Sequence, residues 1–415
     1  MKNERCIKVY AGWYENDRLI GSLYRDSNGL NDNYSFEYDD KWLAGHSNVL
    51  LDPDLLPFRG RQFTKPGKSF FGFLSDAAPD RWGRLLMHRR EAIIAKKEER
   101  QPDRFSEADY LLGVHDEGRQ GGIRLKLSED GVFEADTKEL AAPPWTELRL
   151  LQDSANAFEK NDDSGKWIKQ LIFPGSSLGG ARPKANVKAP DGSLWIAKFP
   201  SKHDESDVGA WEMVVHELGK MCGLNVPDAK LERFSDIGST FLVKRFDRKN
   251  SAGEERRVHF ASAMTMLGKT DGDSAGYPDI AGFIKANGAS PDKDLKELWM
   301  RIVFYIAVSN TDDHLRNHGF LLHEDGWHLS PMYDVNPVYY GTNLSLNISS
   351  ESSLKSFETA LETCGYYGVD PEDAGDIADK IKDCVGGNWR KLAKEFGISR
   401  GEQKMMEGAF LSDSI

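Results

Sequence analysis

The 415-residue sequence has few cysteines and no long apolar run. Its four cysteines include no C-x-x-C pair and are too few and too scattered for a disulfide framework or a zinc site. No stretch of 18 apolar residues occurs, and the longest apolar segment is interrupted by Arg301. The N-terminal residues lack the apolar run of a signal peptide. We therefore expect a cytoplasmic protein in a reducing compartment, without membrane attachment.

The sequence also lacks an excess of positive charge. Lys and Arg total 54 against 66 Asp and Glu, which gives a net charge of −12 and a pI near 5.4. This balance excludes strong direct attraction of the whole molecule to nucleic acid or anionic membranes, so any DNA contact would come through a partner. With 39% hydrophobic and 29% charged residues, the composition is that of a globular protein, and disordered or collagen-like classes are excluded.

Residues 1–140 are predicted to form an N-terminal α+β domain. Residues 7–9 and 19–24 flank an Asn-Asp turn and indicate a β-hairpin. Residues 80–99 then show helical periodicity, with apolar side chains on one stripe and Arg and Lys opposite. The polar segment 136–144 contains two adjacent prolines and is the best candidate for a linker. A domain boundary near residue 140 follows.

The rest of the chain is predicted to form a β-rich lobe at 141–248 and a helical lobe at 249–415. Residues 175–200 contain a glycine-rich loop and two strands joined by an Asp-Gly turn. An amphipathic helix at 206–222 and a strand at 240–246 follow. Beyond these, long helical patterns dominate. The order of a β-rich part before a helical part is typical of kinases.

The strongest chemical signal is a cluster of polar side chains at residues 310–317, directly after an apolar helical stretch. Buried charge is costly without a ligand, although a solvated turn is the alternative for this run taken alone. A protein kinase needs an aspartate to orient the acceptor hydroxyl, an asparagine five positions later, and a second metal-binding aspartate after a short hairpin. Asp312 and Asn317 have this spacing, whereas Asp313 is one position too close, and Asp334 follows a predicted hairpin. The spacing predicts Asp312 as the base and Asn317 and Asp334 as Mg²⁺ ligands.

A lysine and a glutamate upstream fit the same chemistry. Lys198 lies in the strand SLWIAKFP with apolar neighbours on both faces, so it requires an anionic partner. Glu212 lies at the edge of the apolar stripe of the following helix. The pair matches the lysine and helix glutamate that position the phosphates of ATP in kinases. The alternative is two surface side chains that keep only their charged ends in water.

Two further segments are weaker candidates for nucleotide contacts. The loop GSSLGGARPK, residues 175–184, would let backbone N–H groups approach phosphates, but it matches neither standard phosphate-binding pattern and also suits an ordinary turn. The strand at 241–246 falls where a kinase hinge would lie, so its backbone would bind adenine with Phe246 stacked on the base. A plain core phenylalanine is the alternative.

Together these segments resemble the HipA-type serine/threonine kinases, the toxin halves of bacterial toxin–antitoxin pairs. The resemblance covers nearly the whole chain and rests on SSLGGARPK, WIAKFP, GLNVPDA, KRFDR, NTDDHLRNHGF and LSPMYDVNP, which occur in the family's order. FLSDAAPDRWGRLLMHRR and GGIRL resemble the family's N-terminal domain. The resemblance implies an α+β fold, a protein-kinase-like bilobal core of a β-rich and a helical lobe preceded by an N-terminal α+β domain.

The resemblance also assigns site residues. It makes Asp312 catalytic, Asn317 and Asp334 the Mg²⁺ ligands, and Ser177 (with Ser176 as the alternative) the autophosphorylated residue. A phosphate there would add about −1.5 to −2 charge to the loop that cradles ATP and would block it. The implied ATP site comprises Gly179, Gly180, Ala181, Arg182, Lys184, Lys198, Glu212, Lys244, Arg245, Phe246, His314, Asn317, Tyr333 and Asp334.

The function that follows from the resemblance is an ATP- and Mg²⁺-dependent protein kinase toxin. Its substrate would be an aminoacyl-tRNA synthetase or another translation factor, and its partner a HipB-like helix-turn-helix antitoxin that contacts operator DNA. The sequence departs from the family pattern at two positions. Lys244 stands where family members often carry an acidic or other residue, and Asp313 stands where glycine can occur. Two alternatives remain: a catalytically silent, nucleotide-binding co-repressor subunit, and a small-molecule phosphotransferase of the aminoglycoside type.

Overall fold

The computed structural model describes residues 3–27, 32–135, 142–160, 165, 167–171, 180, 182–251 and 254–410. Both strands and helices occur along these residues. The strands in chain order are β1 (Asn3–Ala11), β2 (Arg18–Ser27), β3 (Asp32–Tyr38), β4 (Gln62–Phe63), β5 (Ile123–Lys126), β6 (Lys184–Lys188), β7 (Leu194–Lys198), β8 (Ala229–Glu232), β9 (Thr240–Lys244), β10 (Arg248–Ser251), β11 (Glu254–Arg257), β12 (His259–Ser262), β13 (Gly319–His323) and β14 (Gly326–Leu329).

The helices range from single turns to a long C-terminal helix. In chain order they are α1 (Asp40–His46), α2 (Gly72–Ser75), α3 (Arg81–Lys97), α4 (Glu107–Leu112), α5 (Leu148–Glu159), α6 (Ile168–Leu171), α7 (Val208–Met221), α8 (Ala263–Met266), α9 (Tyr277–Asn287), α10 (Pro291–Ala307), α11 (Phe357–Glu362), α12 (Pro371–Glu395) and α13 (Arg400–Met406). In the part of the chain that the structure describes, no helix combines the length and apolar composition needed to cross a membrane.

The chain divides into two compact units. The first comprises Met1–Ala197, Asp247–Ala261 and Gly268–Thr270, and the second comprises Lys198–Phe246, Ser262–Leu267 and Asp271–Ile415. Each unit is therefore built from separate stretches of sequence. The predicted division into 1–140, 141–248 and 249–415 stays a prediction.

A five-stranded antiparallel sheet with the order β4-β3-β2-β1-β5 organises the first unit. The hairpin predicted from residues 7–24 is confirmed, since Ile7 pairs with Leu23 across β1 and β2. Alternate side chains of these strands, including Val9 and Phe36, are fully buried against the Phe71 and Phe73 rings. The apolar periodicity of two thus places one face of the sheet on the core.

Buried charges tie residues 247–257 to residues 116–121 within the first unit. The Arg248 guanidinium donates to the backbone oxygens of Glu117, Arg119 and Gly121 at 3.0, 2.7 and 3.2 Å. The Asp247 Oδ2 accepts from the Gly121 N–H at 2.7 Å. Both side chains are about 95% buried, so these bonds replace the water that each charge loses. The β10–β11 hairpin is thereby part of the N-terminal unit.

The buried imidazole of His259 makes the stability of the first unit sensitive to acid. Its ring stacks on Trp13 with centroids 4.5 Å apart. Burial lowers the pKa of His259 to about 3, whereas an unfolded histidine titrates near 6.5. The unfolded state therefore binds the extra proton first as the pH falls below 6.5, and the free energy of unfolding decreases by up to about 2 kcal/mol between pH 7 and 5.

We expect His259→Phe, which keeps a stacked ring, to lose less stability than the wild type when urea unfolding is compared at pH 7 and pH 5. Asp52 acts in the opposite direction, because burial raises its pKa to about 6 and the folded state then takes up a proton below that pH. This contribution is common to both proteins and cancels in the comparison. Equal losses in the two proteins would contradict the assignment to His259.

Helices dominate the second unit. Its strands form antiparallel pairs, β8 with β9 and β13 with β14, and the second pair turns at Asp325-Gly326, where Gly326 has a φ of 129°. This confirms the hairpin predicted between the two aspartates of the site. Three aromatic rings, Trp211 of α7, Trp389 of α12 and Phe410, join the helices at centroid distances of 4.8 to 6.3 Å, and Phe410 stacks on both tryptophans. These rings give α7 a fixed position.

Candidate active site

Lys198 stands between two carboxylates at the end of β7. Its Nζ lies 2.5 Å from Glu212 Oε1 and 2.6 Å from Asp334 Oδ1. The side chain is 12% exposed, so the charge has little water around it. Burial alone would lower the pKa of Lys198, but the Asp334 and Glu212 carboxylates outweigh burial and hold that pKa above its ordinary value. The predicted Lys198–Glu212 ion pair is present, and Asp334 is a second partner that the sequence did not predict.

The beginning of α7 holds Glu212 in place. Asp207 caps the helix by accepting from the Ala210 N–H at 3.2 Å, and it also accepts from the Ser239 N–H and hydroxyl at 2.9 and 2.7 Å. A Cβ on Gly209 would lie 2.3 Å from the Ser239 oxygen, so only glycine allows this close approach. Glu212, one turn further, is 5% exposed and belongs to the buried face.

The segment that leads to Asp334 is hydrogen-bonded to α10. Asp334 has a φ of 57°, a left-handed conformation that aspartate tolerates better than most residues. The buried Arg301 guanidinium of α10 donates to the Ser330 oxygen at 2.7 Å and pairs with Glu297 at 2.9 Å. The Met332 N–H donates to the Asn225 oxygen at 2.8 Å. The sequence showed Arg301 only as an interruption of an apolar run, whereas the structure gives it a positioning role.

The loop after α10 brings Asp312 and Asn317 together. Asn317 is 7% exposed, and its Nδ2 donates to the Asp312 backbone oxygen at 3.3 Å. The Asn317 N–H donates to the His314 oxygen at 2.8 Å, which closes the turn. Asp312 and His314 are exposed, so the side chain predicted as the base is accessible to an acceptor. Asp313, between them, is fully buried.

Two aromatic rings predicted to contact the nucleotide lie near each other. The Phe246 and Tyr333 centroids are 5.6 Å apart, and the Tyr333 hydroxyl donates to the Arg316 oxygen at 2.6 Å. Tyr333 directly precedes Asp334, so this hydrogen bond links the Asp334 segment to the loop that carries Asn317. Lys244 approaches Asp228, with its Nζ 3.4 Å from Oδ2, and Arg245 is 4% exposed.

The glycine-rich loop belongs to the first unit. Gly180 has a φ of 101°, and a Cβ there would lie 2.8 Å from the Lys184 Nζ. Lys184 is buried, with its Nζ 3.4 Å from Asp80 Oδ2 at the beginning of α3, and Arg182 is partly buried. Four other predicted residues, Ser176, Ser177, Gly179 and Ala181, lie outside the described residues. The nucleotide roles of this loop stay predictions.

The donor atoms of Asn317 and Asp334 suit magnesium. Mg²⁺ prefers oxygen ligands and is usually bound by one or two carboxylates together with substrate phosphates. Because the Asn317 nitrogen donates to Asp312, the amide oxygen is the atom of that side chain suited to a cation. The Asp334 carboxylate likewise offers only oxygen atoms to a cation. The residues fit Mg²⁺ and not a thiolate- or imidazole-bound metal.

Most of the chain matches two models of known protein domains. Residues 13–106 match the model for the HipA N-terminal domain, and residues 176–389, slightly more than half of the chain, match the model for the HipA-like C-terminal domain. The chain belongs to the HipA family. The suspected HipA resemblance is therefore confirmed.

Individual HipA relatives are distant in sequence. The putative kinase Y4mE of Sinorhizobium fredii is 24% identical over 419 residues, which are 94% of this chain and 86% of that protein. The serine/threonine-protein kinase toxin HipA of Shewanella oneidensis is 23% identical over 222 residues, 46% of this chain and 50% of that protein. Family membership therefore rests on the match of residues 176–389 to the family model, and relatives at this distance do not identify a substrate.

A solved HipA structure has the same fold. The HipA, HipB and operator DNA complex of Shewanella oneidensis matches with a TM-score of 0.69 and 17% identity, over 98% of this chain and 95% of that chain. The predicted kinase-like α+β fold of the HipA type is thereby confirmed.

Proposed function

We propose that this HipA-family chain is an ATP- and Mg²⁺-dependent protein serine/threonine kinase that acts as a growth-arresting toxin. The observation that carries the proposal is the placement of the Lys198 ammonium between Glu212 and Asp334, in the same unit as the Asp312–Asn317 loop. A strand lysine paired with a helix glutamate, together with a separate aspartate for the metal, is the arrangement that protein kinases use for phosphoryl transfer.

In the proposed reaction each residue has one role. Lys198, fixed by Glu212, binds the α- and β-phosphates of ATP. Asn317 and Asp334 would hold Mg²⁺, which supplies positive charge against the charge on the phosphates. Asp312 is exposed and accepts the proton of the attacking serine or threonine hydroxyl. His314 lies on the same loop and would approach the nucleotide.

The rest of the nucleotide site is proposed from the sequence pattern. The hinge at Lys244, Arg245 and Phe246 would bind adenine, with the Phe246 and Tyr333 rings beside the base. The loop with Gly179, Gly180, Ala181, Arg182 and Lys184 would cradle the phosphates. Phosphorylation of Ser177, or of the adjacent Ser176, would place negative charge in that loop and inactivate the enzyme. The three-part division at residues 140 and 248 belongs to the same proposal.

The partner and the substrate are proposed from the family. The Shewanella oneidensis HipA relative is found in a complex with HipB and operator DNA, which supports a HipB-like antitoxin for this chain. The net charge of −12 supports DNA contact through that antitoxin and not through this chain. An aminoacyl-tRNA synthetase or another translation factor in the cytoplasm is the proposed substrate.

Phosphate transfer from γ-labelled ATP into a bacterial lysate tests the proposed function. The full chain with Mg²⁺ should label a discrete protein band, and the Asp312→Gln variant should not, because it lacks the proton acceptor. Label found only in small metabolites would favour the phosphotransferase alternative. Equal ATP turnover by the two proteins would contradict the kinase assignment and favour the silent co-repressor subunit.

A further inference from the structure

A buried polar cluster joins Asp313 of the Asp312–Asn317 loop to Tyr277 and His318. The Asp313 Oδ2 accepts from the Tyr277 hydroxyl at 2.6 Å and lies 2.8 Å from the His318 Nε2. All three side chains are essentially inaccessible to solvent, and we call them the Asp313 cluster (Tyr277, Asp313, His318). A carboxylate this deeply buried is costly unless its partners hold it, so the cluster strongly constrains the backbone around it.

The cluster joins the two ends of the loop. Asp313 follows Asp312 directly, and His318 follows Asn317 directly. The contact between the side chains of Asp313 and His318 therefore closes residues 313–318 into a short ring of chain. The proposed base, Asp312, directly precedes this ring, and the proposed Mg²⁺ ligand, Asn317, lies within it.

Neighbouring elements fix the orientation of the cluster. The His318 ring meets the Tyr277 ring of α9 edge-on, with centroids 5.6 Å apart, and lies 6.0 Å from the Tyr305 ring of α10. The His318 backbone oxygen accepts from the Ala263 N–H at 2.8 Å. Burial, followed by the Asp313 carboxylate, raises the pKa of Tyr277, so its hydroxyl keeps the proton that it donates.

The adjacent aspartates thus have opposite orientations and different tasks. Asp312 is exposed, whereas Asp313 is fully buried. Both contacts of the buried carboxylate are on Oδ2, one from the Tyr277 hydroxyl of α9 and one from the His318 ring at the end of the loop. Two of its three members are the sequence neighbours of Asp312 and Asn317, which carry the proposed chemistry.

We propose that the Asp313 cluster is a positioning device that holds Asp312 at a fixed distance and orientation relative to Asn317. The inference rests on the proposed kinase function and deepens it, because it names residues that act through the catalytic loop without touching the substrate. A displacement of about 1 Å at a reacting group can cost on the order of 10²-fold in rate. The cluster prevents such a displacement.

Paired substitutions at His318 and the tyrosines test this proposal in the full chain. His318→Gln retains an N–H donor toward Asp313, whereas His318→Leu removes it. Tyr277→Phe deletes one hydroxyl that donates to Asp313, with little change in packing. Tyr305→Phe is the matched control, because the Tyr305 hydroxyl is equally buried and has no hydrogen-bond partner among the described residues.

We expect His318→Leu to lower kcat for ATP turnover by on the order of 10²-fold and Tyr277→Phe to lower it by about tenfold, each with KM for ATP within about twofold of the wild type. His318→Gln should recover most of the activity, and Tyr305→Phe should equal the wild type. Wild-type kcat in a folded His318→Leu variant would overturn the proposal. If His318→Leu does not fold, the same reading applies to Tyr277→Phe.

Amide hydrogen exchange without nucleotide or Mg²⁺ gives an independent reading. In Tyr277→Phe and His318→Leu, exchange should become faster in the peptide that spans residues 312–318 and stay unchanged in α12. Unchanged exchange in that peptide would overturn the proposal. If the wild-type protein shows no ATP turnover, the kinase function is refuted, and the exchange result still measures whether the cluster positions the loop. Failure of the kinase proposal and failure of the positioning proposal are therefore distinguishable.

Discussion

Replacing Asp312 with glutamine is expected to lower phosphoryl transfer by about 10²–10⁴-fold, the usual contribution of a general base. ATP affinity should change little, because Lys198 and Asp334 belong to other elements. The free energy of unfolding should stay within about 0.5 kcal/mol, since Asp312 is exposed and Asn317 donates to its backbone oxygen, which the substitution keeps. Single-turnover rates, titration calorimetry with ATP and urea unfolding measure the three quantities.

Glu324→Gln is the matched control for this experiment. Glu324 is an exposed carboxylate in the turn between β13 and β14, and its replacement removes the same charge without touching the loop. Its rate should equal that of the wild type. A comparable loss in both variants would show a general charge effect and remove Asp312 from its proposed role.

Lys198→Ala is expected to abolish the thermal stabilisation that ATP gives and to destabilise the apoprotein. Without the ammonium, Glu212 and Asp334 keep their charges close together with no cation between them. Removing one member of a buried ion pair costs about 3–5 kcal/mol. Because the Asp334 side chain is 36% exposed, we expect the lower end of that range. Thermal unfolding with and without Mg²⁺-ATP measures both effects.

Two further variants separate stability from nucleotide binding at this lysine. Lys382→Ala breaks an exposed ion pair with Asp379 in the same unit and should cost under about 1 kcal/mol, with ATP stabilisation intact. Lys198→Arg keeps the positive charge but replaces a compact ammonium by a planar guanidinium. This variant should fold normally and bind ATP poorly. Full ATP stabilisation of Lys198→Arg and of folded Lys198→Ala would exclude Lys198 from the site.

Local chemistry made part of the site predictable from the sequence. The spacing of Asp312 and Asn317 is set within one turn of chain, and the structure brings their backbone and side chain together. The apolar surroundings of Lys198 required an anionic partner, and Glu212 at the edge of a buried helix face supplied it. Each of these inferences depended on neighbours within about one element of secondary structure.

Long-range contacts decided what the sequence could not predict. Asp312 and Asp313 are adjacent and chemically identical, and the partners of the buried one, Asp313, include Tyr277, which lies 36 positions earlier in the chain. Asp313 therefore looked like a mere departure from the family pattern. The second partner of Lys198 lies 136 positions away, and no local pattern indicates that pairing.

The fold shows the same distinction. Asp-Gly pairs at 191–192 and 325–326 predicted two hairpins, because the turn itself favours those residues, and the strands on either side are present. The attachment of residues 247–257 to residues 116–121 was not foreseen. Its buried arginine and aspartate bind mainly backbone groups, which have no residue-specific signature in the sequence.

The Arg248 bonds limit how this protein can be shortened. A recombinant fragment that starts near residue 141 would contain Arg248 and Asp247 but would lack the Glu117, Arg119 and Gly121 backbone groups that bind them. The Asp247–Arg248 pair would then keep its mutual contact but lose the partners that replace its water, immediately after the strand proposed to bind adenine. We therefore expect an isolated catalytic lobe to be poorly soluble, and biochemical work should begin with the intact polypeptide.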